Sequence, residues 1–541
     1  MSWTTEHMDC DLLVVGGGIA GLVAAVQAAE SGMRVLLATK GKIAGGASYF
    51  PKKASLGIQV TKGAADYAIF KEEIERVACG MNEPRIVDAY LQDSPHKIGL
   101  LDKIGFRPWL RGDNRPACFA RHPRDIYMIG GWPEAARNAR ALVEGHERIT
   151  PLERAGLVRI LGDGERVSGA VFARDGRYLL VRCKAIVLAT GGLASLYRHN
   201  LYPNHIYGGG HAAALDAGCS LVNMEYVQFI PGLLAPKYKV LFGEHTLRFC
   251  TGMHDGCGRN LFADLPESEA AAMFAQRSAY APFSFDYASR VFDTRMMDAI
   301  RAGSDGVRLS FSPALYEERS AFYAVYLDWL REEMGIDMCR DEVRVAPFAH
   351  SCNGGILIDE HGETALRGLF AVGEVASAIE GANRLGGNSV GGSLVFADRA
   401  VAKAEHYVRA DERSPSFDVL AAEFGAWCGQ FHAESALTAG EVFDATREIL
   451  SMDASVVREH GALTAALTRL EALQAGYSPL TQGFDAWQAL TMARVLVLAM
   501  LGRTESRGAH YRADFPHTDT RIYRQIVSST STGIAITRTY A

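Results

Sequence analysis

The segment Asp11-Leu-Leu-Val-Val-Gly-Gly-Gly-Ile-Ala-Gly-Leu-Val-Ala-Ala25 constrains this chain more than any other. An apolar run suited to a buried strand leads into Gly16-x-Gly18-x-x-Gly21, and an alanine-rich, helix-forming stretch follows. Gly16 permits a tight turn out of the strand, and Gly18 lets backbone approach a pyrophosphate. Gly21 lets the helix pack on the strand, while the helix start, Ala20 included, offers N–H donors and a positive dipole end to an anion. The same turn also serves plain β–α packing, so the rest of the chain must decide between the two. A second apolar strand over 33–39 comes at βαβ spacing and ends at Thr39-Lys40. A nicotinamide-binding unit places an acid there for the ribose hydroxyls. Its absence argues against a simple NAD dehydrogenase. Lys40 can pair with a phosphate or be solvated.

Composition narrows the class. A chain of 541 residues, 48% hydrophobic, is long enough for two or three domains. A net charge of −6 does not suit a nucleic-acid binder. Ten scattered cysteines with no C-x-x-C give neither an iron–sulfur nor a zinc spacing, and no metal site is expected. The first residues carry acids and no apolar run, so no signal peptide is expected there. No stretch reads as a membrane span of about 18 apolar residues. A reducing, cytoplasmic setting is expected. The 55 glycines fall in short bursts, the pattern of backbone drawn close to a ligand.

The bursts divide the chain. Gly45-Gly46-Ala47-Ser48 and Ser55-Leu56-Gly57-Ile58 form a polar loop, residues 65–145 read as helical, and 158–181 read as a β-meander. Lys184-Ala-Ile-Val-Leu-Ala-Thr-Gly-Gly192 is a buried strand delivering Ala189, Thr190 and Gly191 to a nucleotide. Residues from about 235 to 340 mix aromatics with charges and read as an insertion. Glycine bursts then return at His350-Ser-Cys-Asn-Gly-Gly355, Gly373-Glu374 and Gly381-Ala-Asn-Arg-Leu-Gly-Gly-Asn-Ser389. The strand before Gly373 reads as the chain rejoining its first sheet. Glu412-Arg-Ser-Pro415 marks a polar break, and the rest reads as helical.

In this order the bursts resemble the flavoprotein family of succinate dehydrogenase, fumarate reductase and L-aspartate oxidase. Gly16–Gly21, Ala189-Thr-Gly-Gly192, Met224-Glu-Tyr-Val-Gln-Phe229, His350, Gly373-Glu374, Asn388-Ser389 and Glu505-Ser-Arg-Gly-Ala-His-Tyr-Arg512 carry the resemblance along nearly the whole chain. It implies an α/β fold: a discontinuous Rossmann-like FAD-binding domain (1–234 and 343–412), an inserted α+β capping domain (235–342) and a C-terminal helical domain (413–541). FAD would contact Gly16, Gly18, Ala20, Gly21, Thr39, Lys40, Ser48, Gly57, Ala189, Thr190, Gly191, Glu374, Asn388 and Ser389. Relatives resembling succinate dehydrogenase attach FAD through a histidine in the loop after the second strand. No histidine lies between Gly41 and Val60, so noncovalent FAD is expected.

The resemblance also implies hydride transfer between flavin N5 and a carbon beside a carboxylate, oxidising or reducing a C–C or C–N bond. Arg384 matches the arginine that forks onto the substrate carboxylate, and His350 a substrate-binding histidine. Arg290, or less securely Arg295, matches a capping-domain arginine acting as acid/base. Glu244 and Gln228 match polar residues near the substrate. Cys352 reads as a small buried residue. The family's Gln-Phe-His-Pro is Gln228-Phe229-Ile230-Pro231 here. Isoleucine cannot hold the second carboxylate of a C4 dicarboxylate, which implies a single anchor, an apolar far wall and a different small acid as substrate. The alternative is a flavoprotein that belongs to a larger complex and passes electrons to an iron–sulfur partner.

Overall fold

The computed structural model describes residues 5–540 except Pro51, Ala378, 411–414 and Thr532. Most of the expected break at 412–415 lies outside the described residues. The strands Leu369–Ala371, Ala185–Leu188, Leu12–Val15, Val35–Thr39 and Ile149–Glu153 form, in that order, a parallel five-stranded sheet. Every residue of Leu12–Val15, Val35–Thr39 and Ala185–Leu188 is buried, as parallel strands covered on both faces require. Leu369–Ala371 enters beside Ala185–Leu188, so the chain rejoins its first sheet after an excursion of about 180 residues. Helices Ile19–Glu30 and Asn388–Arg409 pack together against the sheet. The meander is present as Gly156–Gly162, Val167–Arg174 and Arg177–Arg182.

Residues 65–145 are only partly helical. Asp125–Ile129 pairs with Leu56–Val60 on one side and Trp109–Leu110 on the other in a small antiparallel sheet. These strands are two to five residues long, and Gly57 breaks the pattern in one of them, so a period of two does not show. The middle of the chain builds another antiparallel sheet: Val240–Leu241, Val227–Ala235, Val343–Cys352, Val307–Phe311 and Cys250–His254, in that order. With helices Glu267–Arg277, Val291–Arg301 and Ala321–Glu332 it encloses its own core around Phe242, Phe274, Phe292 and Leu327. The fold is thus α/β with an inserted α+β cap.

After helices Phe417–Cys428, Ala439–Asp453, His460–Ala475 and Phe484–Gly502 the chain is not helical to its end. Tyr523–Thr530 and Gly533–Tyr540 form a hairpin that extends a sheet built on Leu221–Val222. The alternating β-branched residues of the hairpin carried that signal. Contrary to expectation, Phe484–Gly502 is long and apolar enough to cross a membrane, with mean hydropathy 1.4, and 72% of that stretch is buried inside the protein. It packs between helices Ala439–Asp453 and His460–Ala475. All ten cysteines are free.

A buried ion network ties the last segment to the middle of the chain. Arg503 binds Glu225 at 2.5 Å and Glu505 at 2.6 Å, and Arg507 binds Glu505 at 2.9 Å. The network holds the turn at Gly508 and Ala509, and Ala509 N–H donates to Ala382 O at 2.9 Å, two residues before Arg384. The Glu505–Arg512 motif therefore buttresses the segment that presents that arginine.

Candidate active site

One cavity of about 570 Å³ collects residues from both ends of the chain. Gly16, Gly18, Ala20, Thr39, Lys40, Ser48, Gly57, Ala189, Thr190, Gly191, Glu374 and Ser389 line it, together with Glu244, His350 and Arg384. Gly16 has φ +124°, and a Cβ there would lie 2.1 Å from Ala189 O. Ser48 Oγ accepts the Ile19 N–H at 3.1 Å, capping the helix start. Thr190 Oγ1 is buried without a hydrogen-bond partner.

Several expected site residues are placed otherwise. Gly21 does not line the cavity; a Cβ on it would lie 1.8 Å from Gly16 O, so it serves the helix–strand contact. Asn388 is buried against the Tyr90 hydroxyl, 3.4 Å away, whereas its neighbours Gly387, Ser389 and Val390 line the cavity. Gln228 stands behind the cavity: its Oε1 accepts from Arg384 at 3.2 Å and its Nε2 donates to Asn383 at 2.6 Å. Arg290, expected as acid/base, does not reach the cavity. It caps its own turn through the carbonyls of Phe285 and Tyr287 at 3.4 and 3.2 Å and lies over the Phe285 ring. Arg295 pairs with Asp264 at 2.6 Å. Lys40 lines the cavity but forms an ion pair with Asp485 and lies 3.0 Å from the Tyr207 hydroxyl, so it is not simply solvated.

Charge in the cavity favours anions: Lys40, Lys53, Arg111, Arg115 and Arg384 face two carboxylates, Glu244 and Glu374. Arg384 Nη2 contacts Gln228 Oε1 and His350 Nε2, at 3.2 and 3.3 Å, while its Nε is buried without a partner. Burial, then Arg384 and Lys53, push His350 down to about 3, so its imidazole is neutral. Glu374 accepts from the Tyr202 hydroxyl, from Ser351 Oγ at 3.1 Å and from Cys352 N–H at 3.1 Å; burial raises its pKa above the usual carboxylate range. Glu244 is 7% exposed, its Oε1 has no partner, and burial pushes it up to about 7.

Sequence reasoning passed over several cavity residues. Lys53 Nζ donates to Ala47 O at 2.6 Å and lies 4.8 Å over Trp132; burial drives its pKa down to about 7. Arg111 is braced by Asp113 at 2.7 Å, and Arg115 stacks on Tyr323. Buried Arg277 binds Asp293 at 2.8 Å and the carbonyls of Tyr280 and Ala281 at 2.7 and 3.0 Å, fixing cap residues that line the cavity. These cations sit singly in loops or in a helix with no motif around them, so no spacing announced them.

The family model for the FAD binding domain matches residues 11–390, and that for the fumarate reductase flavoprotein C-terminus matches 444–533. The chain belongs to the succinate dehydrogenase, fumarate reductase and L-aspartate oxidase flavoprotein family. The flavoprotein is 30% identical to an L-aspartate oxidase of Caulobacter vibrioides, covering 94% of each chain. It is 26% identical to a subunit of the fumarate reductase (CoM/CoB) of Methanothermobacter marburgensis, covering 97% of each. Among solved structures, Mycobacterium smegmatis Sdh1 shares the fold with TM-score 0.79 and 24% identity, over 99% of the flavoprotein and 94% of that chain. An E. coli quinol fumarate reductase FrdA does so with TM-score 0.79 and 21% identity, over 99% and 97%.

The cavity fits FAD. The glycine turn brings backbone to a helix start, as a diphosphate requires. The orphaned Thr190 hydroxyl and the excess of basic side chains suit a hydroxyl-rich, anionic cofactor. The flavoprotein is an FAD-dependent oxidoreductase.

Proposed function

We propose that this flavoprotein transfers hydride between its flavin and a carbon adjacent to a carboxylate, in an acid other than a C4 dicarboxylate. The observation that carries this is Arg384: a guanidinium on the cavity wall, fixed by Gln228 and His350, with its Nε buried and unpartnered. A substrate carboxylate satisfies that donor and forms charge-assisted bonds with the fork. Bound FAD supplies the hydride chemistry, with Gly16, Gly18, Ser48, Thr190, Glu374 and Ser389 among the residues holding it, noncovalently.

The remaining roles belong to the chain. Neutral His350 accepts from Arg384 and keeps the fork oriented. Glu244, not Arg290, is the group that holds or releases a proton near neutrality, because an arginine keeps its proton. Cap residues Phe242, Tyr280 and Tyr326 form one side of the cavity. Ile230, 2% exposed, lines the cavity and packs with Leu201, Ala346 and Phe348. That wall offers no donor to a second carboxylate and supports the exclusion of succinate, fumarate and aspartate.

Arg384→Met tests the assignment. Loss of a charge-assisted fork is worth about 3 kcal/mol, roughly 100-fold in acid binding. Binding read from the flavin absorbance within threefold of the parent refutes it. A second reading, a component of a larger complex that hands electrons to an iron–sulfur partner, draws support from the Methanothermobacter marburgensis relative, which is itself named as one subunit of its reductase. Co-purification of such a protein favours it, and peroxide release on aerobic turnover favours a free-standing oxidase. Ten free cysteines suit a reducing setting such as the cytoplasm.

A further inference from the structure

Ten large apolar side chains are exposed among the described residues, and three of them border this one cavity: Trp109 at 44%, Leu110 at 52% and Val325 at 43%. They come from two separate elements. Trp109 and Leu110 form the edge strand of the small antiparallel sheet, and Val325 lies on the cap helix Ala321–Glu332. Leu241, Phe242 and Ile230 continue the apolar lining inside the cavity. Exposed apolar surface gathered at an opening marks a place where an apolar ligand is covered. Arg111 and Arg115, on the same loop, do not interrupt this lining with bare charge: Asp113 offsets the first, and the second lies over the Tyr323 ring, 5.3 Å from its centroid.

We propose that the substrate is an acid with an apolar tail, its carboxylate on Arg384 and its tail leaving the cavity between the Trp109–Leu110 strand and Val325. This deepens the proposed function and rests on Arg384 as the carboxylate anchor. The tail takes the place that a second carboxylate has no donor to occupy, and the mouth allows it to exceed the length of the enclosed space.

The test uses FAD-loaded protein titrated with straight-chain monocarboxylates from acetate to decanoate, with binding read from the flavin spectrum. Affinity is expected to rise roughly three- to fourfold per added methylene until the chain passes the mouth. Trp109→Ser with Leu110→Ser, and separately Val325→Ser, are expected to lower octanoate affinity about tenfold more than butyrate affinity. All three positions are exposed, so folding is retained. A flat response to chain length, or a slope unchanged in both variants, overturns the proposal and leaves the apolar rim as a contact made when the cap closes. If no carboxylate of any length perturbs the flavin, Arg384 is not an anchor and both readings fall.

Discussion

Replacing Glu244 by glutamine gives a sharp test of the electrostatics in this cavity. Burial raises the carboxyl from 4.5 to about 7. Below pH 4.5 the folded and unfolded chains both hold the proton. Between 4.5 and about 7 the unfolded chain releases it and the folded chain retains it, so stability falls as pH rises. Above 7 both are ionised, and the folded state carries the whole penalty of a buried charge, about 3 kcal/mol. Unfolding entropy of about 2.1 cal/mol/K per residue over 541 residues converts this to about 3 °C in melting temperature. Glutamine does not titrate, so Glu244→Gln carries its own cost equally at all pH values. The assay is thermal melting of the FAD-loaded parent and variant at pH 4.5 and pH 8. The variant should gain about 3 °C on the parent between the two. Its turnover should also lose the limb near pH 7 that a titrating Glu244 imposes. A gap between the two proteins that stays constant with pH refutes the raised pKa and removes Glu244 as the proton carrier.

Two further substitutions probe other parts of the site. Gly16→Ala sets a Cβ at 2.1 Å from Ala189 O on a backbone at φ +124°, so the purified protein should be colourless; a normal flavin content counts against the nucleotide turn. Ile230→His puts an imidazole against Leu201, Ala346 and Phe348, at a cost of roughly 1–3 kcal/mol, and should shift the fumarate-to-butyrate affinity ratio at least tenfold towards fumarate. An unchanged ratio shows that the position does not face the ligand.

The parallel sheet and its glycine turn were legible because backbone constraints leave a signature in residue identity. Gly16 and Gly21 sit where a Cβ would collide with backbone, and no other residue substitutes there. The late strand was legible from its apolar run into Gly373. Side-chain direction was not. Asn388 and Ser389 are adjacent on one helix start, yet one faces Tyr90 and the other the cavity, a rotation of one residue that no motif encodes. Arg290 was given a catalytic role through the family resemblance alone, and the carbonyls of its own turn engage it here. Arg384 came from the same resemblance, through its Gly-Ala-Asn-Arg-Leu setting, and the structure does bring it to the cavity, on a segment that Ala509 buttresses. The two-residue strand at Trp109 was too short to be read, and the β-branched pattern of the C-terminal hairpin was passed over for the helical pattern before it.

The order of strands in the parallel sheet has a consequence for biosynthesis. Its edge strand, Leu369–Ala371, leaves the ribosome long after the first four have emerged. Until then Ala185–Leu188 presents an unpaired, fully apolar edge, open to wrong partners. The inserted cap, with its separate core, can settle in the meantime, whereas the nucleotide pocket cannot close before Glu374 and Ser389 arrive. A chain truncated before Leu369 should therefore aggregate, because its Ala185–Leu188 edge is never covered.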